Sequence, residues 1–450
     1  MDQLHEIIKS INAYLWGPPM LVILFGTHLF LTVRLRFIQR YIGLGIKLSF
    51  RKDVNGKGDV THFGALATAL AATIGTGNIV GVATAVALGG PGAVFWCWLT
   101  GVFGISTKYA EAVLAVKYRI ITADGTMLGG PMYALERGLG VKWPAVLFCA
   151  FTAVAAFGIG NMVQANAISS LASESYGVPG WATGLFAATA TALVILGGVR
   201  SIARACTLLV PFMAAFYVIG CLVILWINRG AVLPALFLIV KSAFTPQAAG
   251  GGFIGATLMT AARFGIARGL FSNEAGLGSA PIVAAAARTN NPVKQALVSA
   301  TGTFWDTVVV CALTGLVLVS TIILHPGDFG DLNGAAMTKR AFGEIPVVGP
   351  VLLSVGLLTF VFSTILGWSY YGERAIEYLF GKRSIVPYRV LWVLAVMAGA
   401  MVSLPLVWDM ADMMNMLMAI PNLAALILLS GVIVAETRKY LWEGDIEKIG

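Results

Sequence analysis

Apolar residues run along this chain in eleven stretches of membrane-crossing length, at about 14–35, 63–89, 93–117, 143–173, 181–198, 205–228, 252–287, 296–324, 350–379, 387–404 and 411–435. About 20 apolar residues carry a helix across a bilayer. The pattern therefore predicts an all-α polytopic membrane protein. Two stretches are not plain. The first, GALATALAATIGTGNIVGVATAVALGGPG from Gly64 to Gly92, places Gly75, Gly77 and Asn78 at mid-depth. Each glycine costs a helix interior roughly 1 kcal/mol against Ala, and the Asn amide competes for backbone hydrogen bonds. Such residues suit a helix that opens at its centre; they also suit close packing between helices. The second, from Gly251 to Ala286, carries Arg263, Arg268 and Glu274 at membrane depth, where charges are expensive and mark functional sites. Gly269 is the expected breaking point, with Ser272 or Asn273 capping a helix that starts just after it.

The two broken stretches lie five spans apart, an odd number, so the units they open must face opposite ways across the membrane. The expected architecture is a five-plus-five inverted repeat with a broken first helix in each repeat and one extra N-terminal helix, a known transporter design. It divides the chain into the extra helix and a basic loop (1–58), the first repeat (59–230), an outer amphipathic connector (231–251), the second repeat (252–436) and a tail (437–450).

Composition agrees with membrane residence: 58% of the 450 residues are hydrophobic and 11% charged, too much apolar surface for a single soluble core. The net charge of +9 does not point to nucleic acid, because the basic residues sit between apolar runs, as the positive-inside rule produces. The loop from Arg34 to Lys57 is basic and so cytoplasmic. Counting outward leaves Lys9, Arg229, Lys241, Lys339 and Arg340 on the outer side, with the N-terminus outside and the C-terminus in the cytoplasm of an inner (plasma) membrane protein. The five cysteines fall in apolar runs without CxxC spacing, so no disulfide framework or metal cluster is expected. No nucleophile–base pair, paired catalytic carboxylates or metal cluster argues for an enzyme, and nothing resembles the filter of a channel.

The stretch GGPGAVFWCWLTGVFG (Gly89–Gly104) resembles the alanine/glycine:cation symporter family, also called sodium:alanine symporters, with Cys97 where Met is usual. ATIGTGNIVGVA (Ala72–Ala83), STKYAEAVLAVKYR (Ser106–Arg119), GGPMYALERGLG (Gly129–Gly140), FGIGNMVQAN (Phe157–Asn166) and RGLFSNEAGLGSAP (Arg268–Pro281) extend the likeness over the whole chain. The resemblance implies a leucine-transporter-like fold and cation-driven uptake of a small neutral amino acid, alanine or glycine, with Na+ as coupling ion, no cofactor, and membrane lipid as surroundings.

An amino acid zwitterion needs donors for its carboxylate, acceptors for its ammonium and walls for its side chain. Opened backbone at Thr76, Gly77 and Asn78 offers N–H groups at a half-helix N-terminus. By resemblance, Gln164 contacts the substrate, and Phe271, Ser272, Asn273 and Glu274 form the second half of the pocket. Phe271 would wall the methyl group; Glu274 would meet the ammonium or pair with Arg263 or Arg268. Asp306 is expected to partner one of those arginines. Trp368 would narrow the pocket or the inner exit. For sodium, the fold implies carbonyls at Ala71 and Ile74 and hydroxyls at Ser363 and Thr364; a second ion at Thr73 and Asn78 is an open alternative. Proton coupling through Glu274 or Asp306 is the competing expectation. One sodium is energetically enough: a tenfold gradient gives about 1.4 kcal/mol and ~100 mV about 2.3 more. Together they sustain accumulation on the order of several hundred-fold.

Overall fold

The computed structural model describes residues 2–51, 56–245, 258–330, 332, 334–402, 405–444 and 446. These residues are mostly helical, with one short hairpin in which Ile120–Ile121 pairs antiparallel with Met127–Leu128. Among them, six helices are long and apolar enough to cross a membrane: Trp143–Glu174, Gly198–Ile227, Pro292–Leu324, Val348–Phe380, Lys382–Met401 and Leu406–Leu428. Two bent pairs, His5–Leu15 with Pro18–Arg34 and His62–Thr73 with Gly77–Gly89, raise the number to eight.

Three expected spans do not meet that measure. Gly92–Lys117 carries Lys108 and Glu111, Gly180–Ile195 has 16 residues, and the span expected at 252–287 begins among residues 252–257, outside the described residues. The same holds for 246–251 of the expected connector, whose described part, 231–245, lies mostly in the helix Arg229–Ser242.

The first break falls where the glycines place it. The helix His62–Thr73 starts at Thr61, whose side chain accepts the Gly64 N–H, and ends at Ile74, which is extended. After Gly75 and Thr76 the chain rewinds as Gly77–Gly81 and Val82–Gly89, bent by 53° from the first half.

The second break is displaced from Gly269. The helix Leu258–Asn273 runs straight through it, and the chain unwinds only at Glu274, which takes a left-handed φ of 55°. It rewinds briefly as Pro281–Ala284. Gly265 and Gly269 serve contact instead. A methyl group on Gly265 would lie 2.3 Å from the Ala93 carbonyl oxygen, and one on Gly269 2.0 Å from Thr100 Oγ1. Small residues thus let this helix touch Gly92–Lys117 directly, as close packing in membranes requires.

Gly92–Lys117 is the central post. Leu258–Asn273 and Pro292–Thr303 both pack against it, while His62–Thr73 packs on Gly198–Ile227 and Val348–Phe380. At one end the two broken spans are tied together: Asp59 N–H donates to Ala286 O (2.8 Å), and Arg288 N–H to Val60 O (2.7 Å). The Arg119 guanidinium gathers the carbonyls of Ala285, Ala287, Lys57 and Thr289. Beyond the other half of the first broken span, the helix Gly334–Phe342 rests on it, with Thr338 Oγ1 donating to Ile79 O (3.4 Å). That helix comes from the long, proline-stiffened loop His325–Pro350.

Candidate functional site

Opening a helix frees backbone groups that must be satisfied within the protein. At the first break, a continued helix would send the Gly75 N–H to the Ala71 carbonyl. It goes instead to Asn78 Oδ1, at 2.9 Å. Asn78 is fully buried and its amide nitrogen is used as well, donating to Asp306 Oδ1 (2.7 Å), to the Asp306 carbonyl (3.2 Å) and to Cys311 Sγ (3.3 Å). Its side chain is therefore the clasp that holds the break open.

The freed Ala71 carbonyl accepts Ser363 Oγ–H at 3.1 Å. Thr364 Oγ1 would lie 2.6 Å from a methyl group on Gly75. Ala71, Ile74, Ser363 and Thr364 thus converge at the break, all buried. Oxygen ligands of this kind suit a hard cation, and no carboxylate is among them.

On the other side of the break, Gly77 faces the second broken span. A methyl group on it would lie 3.3 Å from the Phe271 ring and 3.4 Å from Ser272 Cα. Thr76 meets Gln164, whose Nε2 donates to Ile159 O (2.9 Å) and to Thr76 Oγ1 (3.4 Å). The Ile159 carbonyl, which can only accept, fixes which end of the amide carries nitrogen, and this leaves Gln164 Oε1 buried with no hydrogen-bond partner. Gly158–Met162, just before it, is a π-helical turn, a distortion common at functional sites. Trp368 packs there, 2.2 Å from where a methyl group on Gly160 would sit.

The second break places its polar side chains elsewhere. Ser272 Oγ–H donates to Asp306 Oδ2 (2.9 Å), as does Thr307 Oγ1 (2.7 Å). Glu274 accepts Trp368 Nε1–H (3.1 Å) and the Ser279 hydroxyl (2.5 Å). Neither carboxylate pairs with an arginine, which was the expectation for Asp306 and one of two alternatives for Glu274. Arg268 lies over the Phe271 ring and Arg263, exposed, over Phe264. Asn273 Oδ1 accepts the Ala275 N–H (2.9 Å), closing the helix end as a cap would. The structure therefore brings Thr76, Gly77, Gln164, Phe271 and Trp368 around one break. It turns the side chains of Asn78, Ser272, Asn273 and Glu274 into the scaffold behind it.

Glu111, on Gly92–Lys117, is a residue that sequence reasoning missed. Its Oε1 accepts the N–H groups of Gly276 (3.1 Å) and Gly278 (3.0 Å). Asn422 Nδ2 donates to the same oxygen (2.7 Å) and to Gly276 O (2.9 Å). The signal was present: Lys108 and Glu111 are ionisable residues inside an apolar run.

Residues 1–448 match the sodium:alanine symporter family. The chain is 53% identical to sodium/alanine symporter AgcS of Methanococcus maripaludis over 443 residues, covering 97% of either protein. It is 35% identical to the probable sodium/glutamine symporter GlnT of Bacillus subtilis, over 98% of this chain and 91% of the other. Among solved structures, MhsT in complex with L-phenylalanine superposes with a TM-score of 0.61 at 14% identity, over 86% of this chain and 94% of that one. That likeness speaks to the fold alone, which is of the leucine-transporter type implied by the sequence motifs. The protein is a multi-pass membrane transporter and not an enzyme. The chain belongs to the sodium:alanine symporter family.

Proposed function

We propose that this protein couples sodium entry to uptake of a small neutral amino acid, alanine or glycine, by alternating access of two inverted five-helix repeats, 59–230 and 252–436. In this reading the chain crosses the inner membrane eleven times, N-terminus outside. The observation that carries the reading is the unpartnered Gln164 Oε1 beside Thr76, at the N-terminus of a half-helix. A buried acceptor without a donor costs about 1–3 kcal/mol, and an ammonium group removes that cost. The first N–H groups of the rewound half-helix, at Thr76 and Gly77, would serve a carboxylate, as helix N-termini serve anions. One ligand with both charges close together, an α-amino acid, satisfies both. Phe271, against Gly77, and Trp368, against Gly160, are bulky walls that suit a hydrogen or a methyl group as the ligand's side chain.

Sodium would bind at Ala71 O, Ile74 O, Ser363 Oγ and Thr364 Oγ1. Ser363 Oγ–H now donates to the carbonyl that would ligate the ion, so binding requires that hydroxyl to turn its lone pairs inward. Because the site shares Gly75 with the opened backbone, filling it stiffens the donors that hold the carboxylate. That shared backbone is the coupling. Asn78, Ser272 and Asp306 position the break; Asn273 and Glu274 shape its second wall.

The test is uptake by proteoliposomes of a panel of small amino acids in both hands, with sodium replaced by choline at fixed pH. Saturable, sodium-dependent alanine or glycine uptake, weakened about 10- to 100-fold in Gln164→Leu, is expected. Uptake that survives in choline and follows the proton gradient would transfer the coupling role to Glu274 or Asp306.

A further inference from the structure

An apolar groove of about 520 Å³ lies on the side of the first break away from Gln164 and Phe271. Phe63, Leu70 and Ile74 line it along His62–Thr73 and just past its end; Pro211, Ala215 and Val218 of Gly198–Ile227 line it from a second side. Trp305 and Val309, from the π-helical turn Phe304–Cys311, add a third wall. The short helix Ile42–Ser49 contributes Ile46 and Ser49, and Phe50 follows at its end, stacked on Phe63. That helix is firmly seated on Pro292–Thr303, where a methyl group on Gly45 would lie 2.4 Å from the Leu297 carbonyl oxygen.

Apart from Ser49 and the Trp305 indole the lining is apolar, and the Ser49 hydroxyl already donates to Gly45 O (2.9 Å). Such a space attracts little water. From Phe63 to Ile74 the chain advances about 16 Å at helical rise, which matches one leaflet of a hydrocarbon core about 30 Å thick. An apolar rod of that length beside a membrane protein is an acyl chain. Leaving the bilayer for the groove gains the chain little, since lipid is equally apolar, so any selection must come from the head group. Cations stand at the end where it would lie. Lys47 and Arg51 are exposed there, on the short helix and just beyond it. Arg204, also exposed, precedes Pro211 by seven residues and so shares its helix face. Its neighbour Ala203 has Cβ 3.7 Å from where a methyl group on Gly64 would sit, which sets Arg204 level with Phe63.

We propose that this groove binds one anionic phospholipid, its phosphate at Lys47, Arg51 and Arg204 and one acyl chain laid along His62–Thr73 as far as Ile74. Basic residues at a membrane surface attract anionic head groups in this way. The chain's tip reaches the residue whose carbonyl is assigned to sodium, on the face away from the ligand. A seated chain braces the first half-helix against Gly198–Ile227 and Phe304–Cys311, so lipid occupancy and the geometry of the first break are linked. The consequence for transport rests on the proposed function; the lipid site itself does not.

The experiment is native mass spectrometry of the purified full chain, titrated with dioleoyl phosphatidylglycerol and, separately, with phosphatidylcholine of the same chains. Neither titration depends on transport, so failure here leaves the sodium and alanine assays standing, and failure there leaves this result standing. One phosphatidylglycerol per chain, held about tenfold or more tighter than phosphatidylcholine, is expected. Ala215→Trp, at an exposed position on the groove wall, should fill the groove and weaken retention by about tenfold or more; Val218→Trp replaces it should that variant fail to fold. Lys47→Gln and Arg204→Gln should each weaken it about fivefold. Equal retention of the two lipids would make the groove ordinary lipid-facing surface and overturn the proposal. Retention unchanged in a folded tryptophan variant overturns it equally, as does a dimer that Ala215→Trp dissociates, which would assign the groove to a second copy of the chain.

Discussion

The two helix breaks at the centre of this protein are made by different means. The first contains no residue with positive φ among the described residues. It is held by one side chain, Asn78, which takes the Gly75 N–H and anchors itself on Asp306. The second turns through left-handed conformations at Glu274, Gly276 and Gly278, and its N–H groups are collected by Glu111 from the central helix. Undoing the first requires breaking side-chain hydrogen bonds worth about 1.5–3 kcal/mol each where a charge takes part. Undoing the second requires several backbone dihedrals to reverse. The first break is therefore the adjustable one, and it is the one that borders the proposed cation and carboxylate positions. The second is a fixed frame.

Substitutions separate these roles, and the frame should respond most. In Gly278→Ala a methyl group at φ 86° would meet Phe148 and Pro131 at 2.8 Å. Left-handed strain of about 1–2 kcal/mol and overpacking of about 1–3 should lower the thermal unfolding midpoint sharply. A midpoint equal to that of the unaltered protein would show that the second break is as pliable as the first. Next, Asn78→Ala should keep its helix content by circular dichroism yet bind alanine roughly 10- to 150-fold more weakly, as loss of a charge-assisted bond implies. Undiminished affinity in calorimetry would remove the clasp from the account. Ser363→Ala combined with Thr364→Ala should raise the sodium concentration for half-maximal uptake by about tenfold, the equivalent of roughly 1.4 kcal/mol, with less effect on the unfolding midpoint than Gly278→Ala. Unchanged sodium dependence would move the ion elsewhere.

The smallest effect is expected at the tied end. Arg119→Gln cannot reach four carbonyls at once, so a cysteine introduced at Ala287 should react with a water-soluble maleimide a few-fold faster. Equal rates would mean that the strand-like pairing of Val60 with Ala287 closes that end without the guanidinium.

The first break was readable because its cause is local: two glycines and an amide within four residues weaken a helix whatever surrounds it. The same local reasoning misplaced the second break at Gly269. A glycine in a membrane helix can loosen the backbone or admit a neighbour, and only the approach of Ala93 and Thr100 decides between the two. The family resemblance nominated Gln164, Ser363 and Thr364, which do converge on the first break. It could not assign orientation at Asn78, Ser272 and Asn273, where one helical position more or less separates the cavity wall from the scaffold.

The expected pairing of Asp306 with Arg263 or Arg268, and the alternative pairing of Glu274, failed for a related reason. Sequence gives the charges present in a span but not the neutral donors that reach them. Trp368 and Ser279 satisfy one carboxylate, and Asn78, Ser272 and Thr307 the other, so neither needs an arginine.

By itself the sequence determined that the chain lives in a membrane, that the residues from Gly75 to Asn78 weaken a helix, and which motifs place it among sodium:alanine symporters. Apolar run length, helix propensity and motif identity are properties of short segments. Only the tertiary structure decided which freed backbone groups find partners and which side chains are left without one, Gln164 Oε1, Lys108 Nζ and Asn273 Nδ2 among them. Hydrogen-bond satisfaction is settled by residues hundreds of positions apart, and no local pattern encodes it.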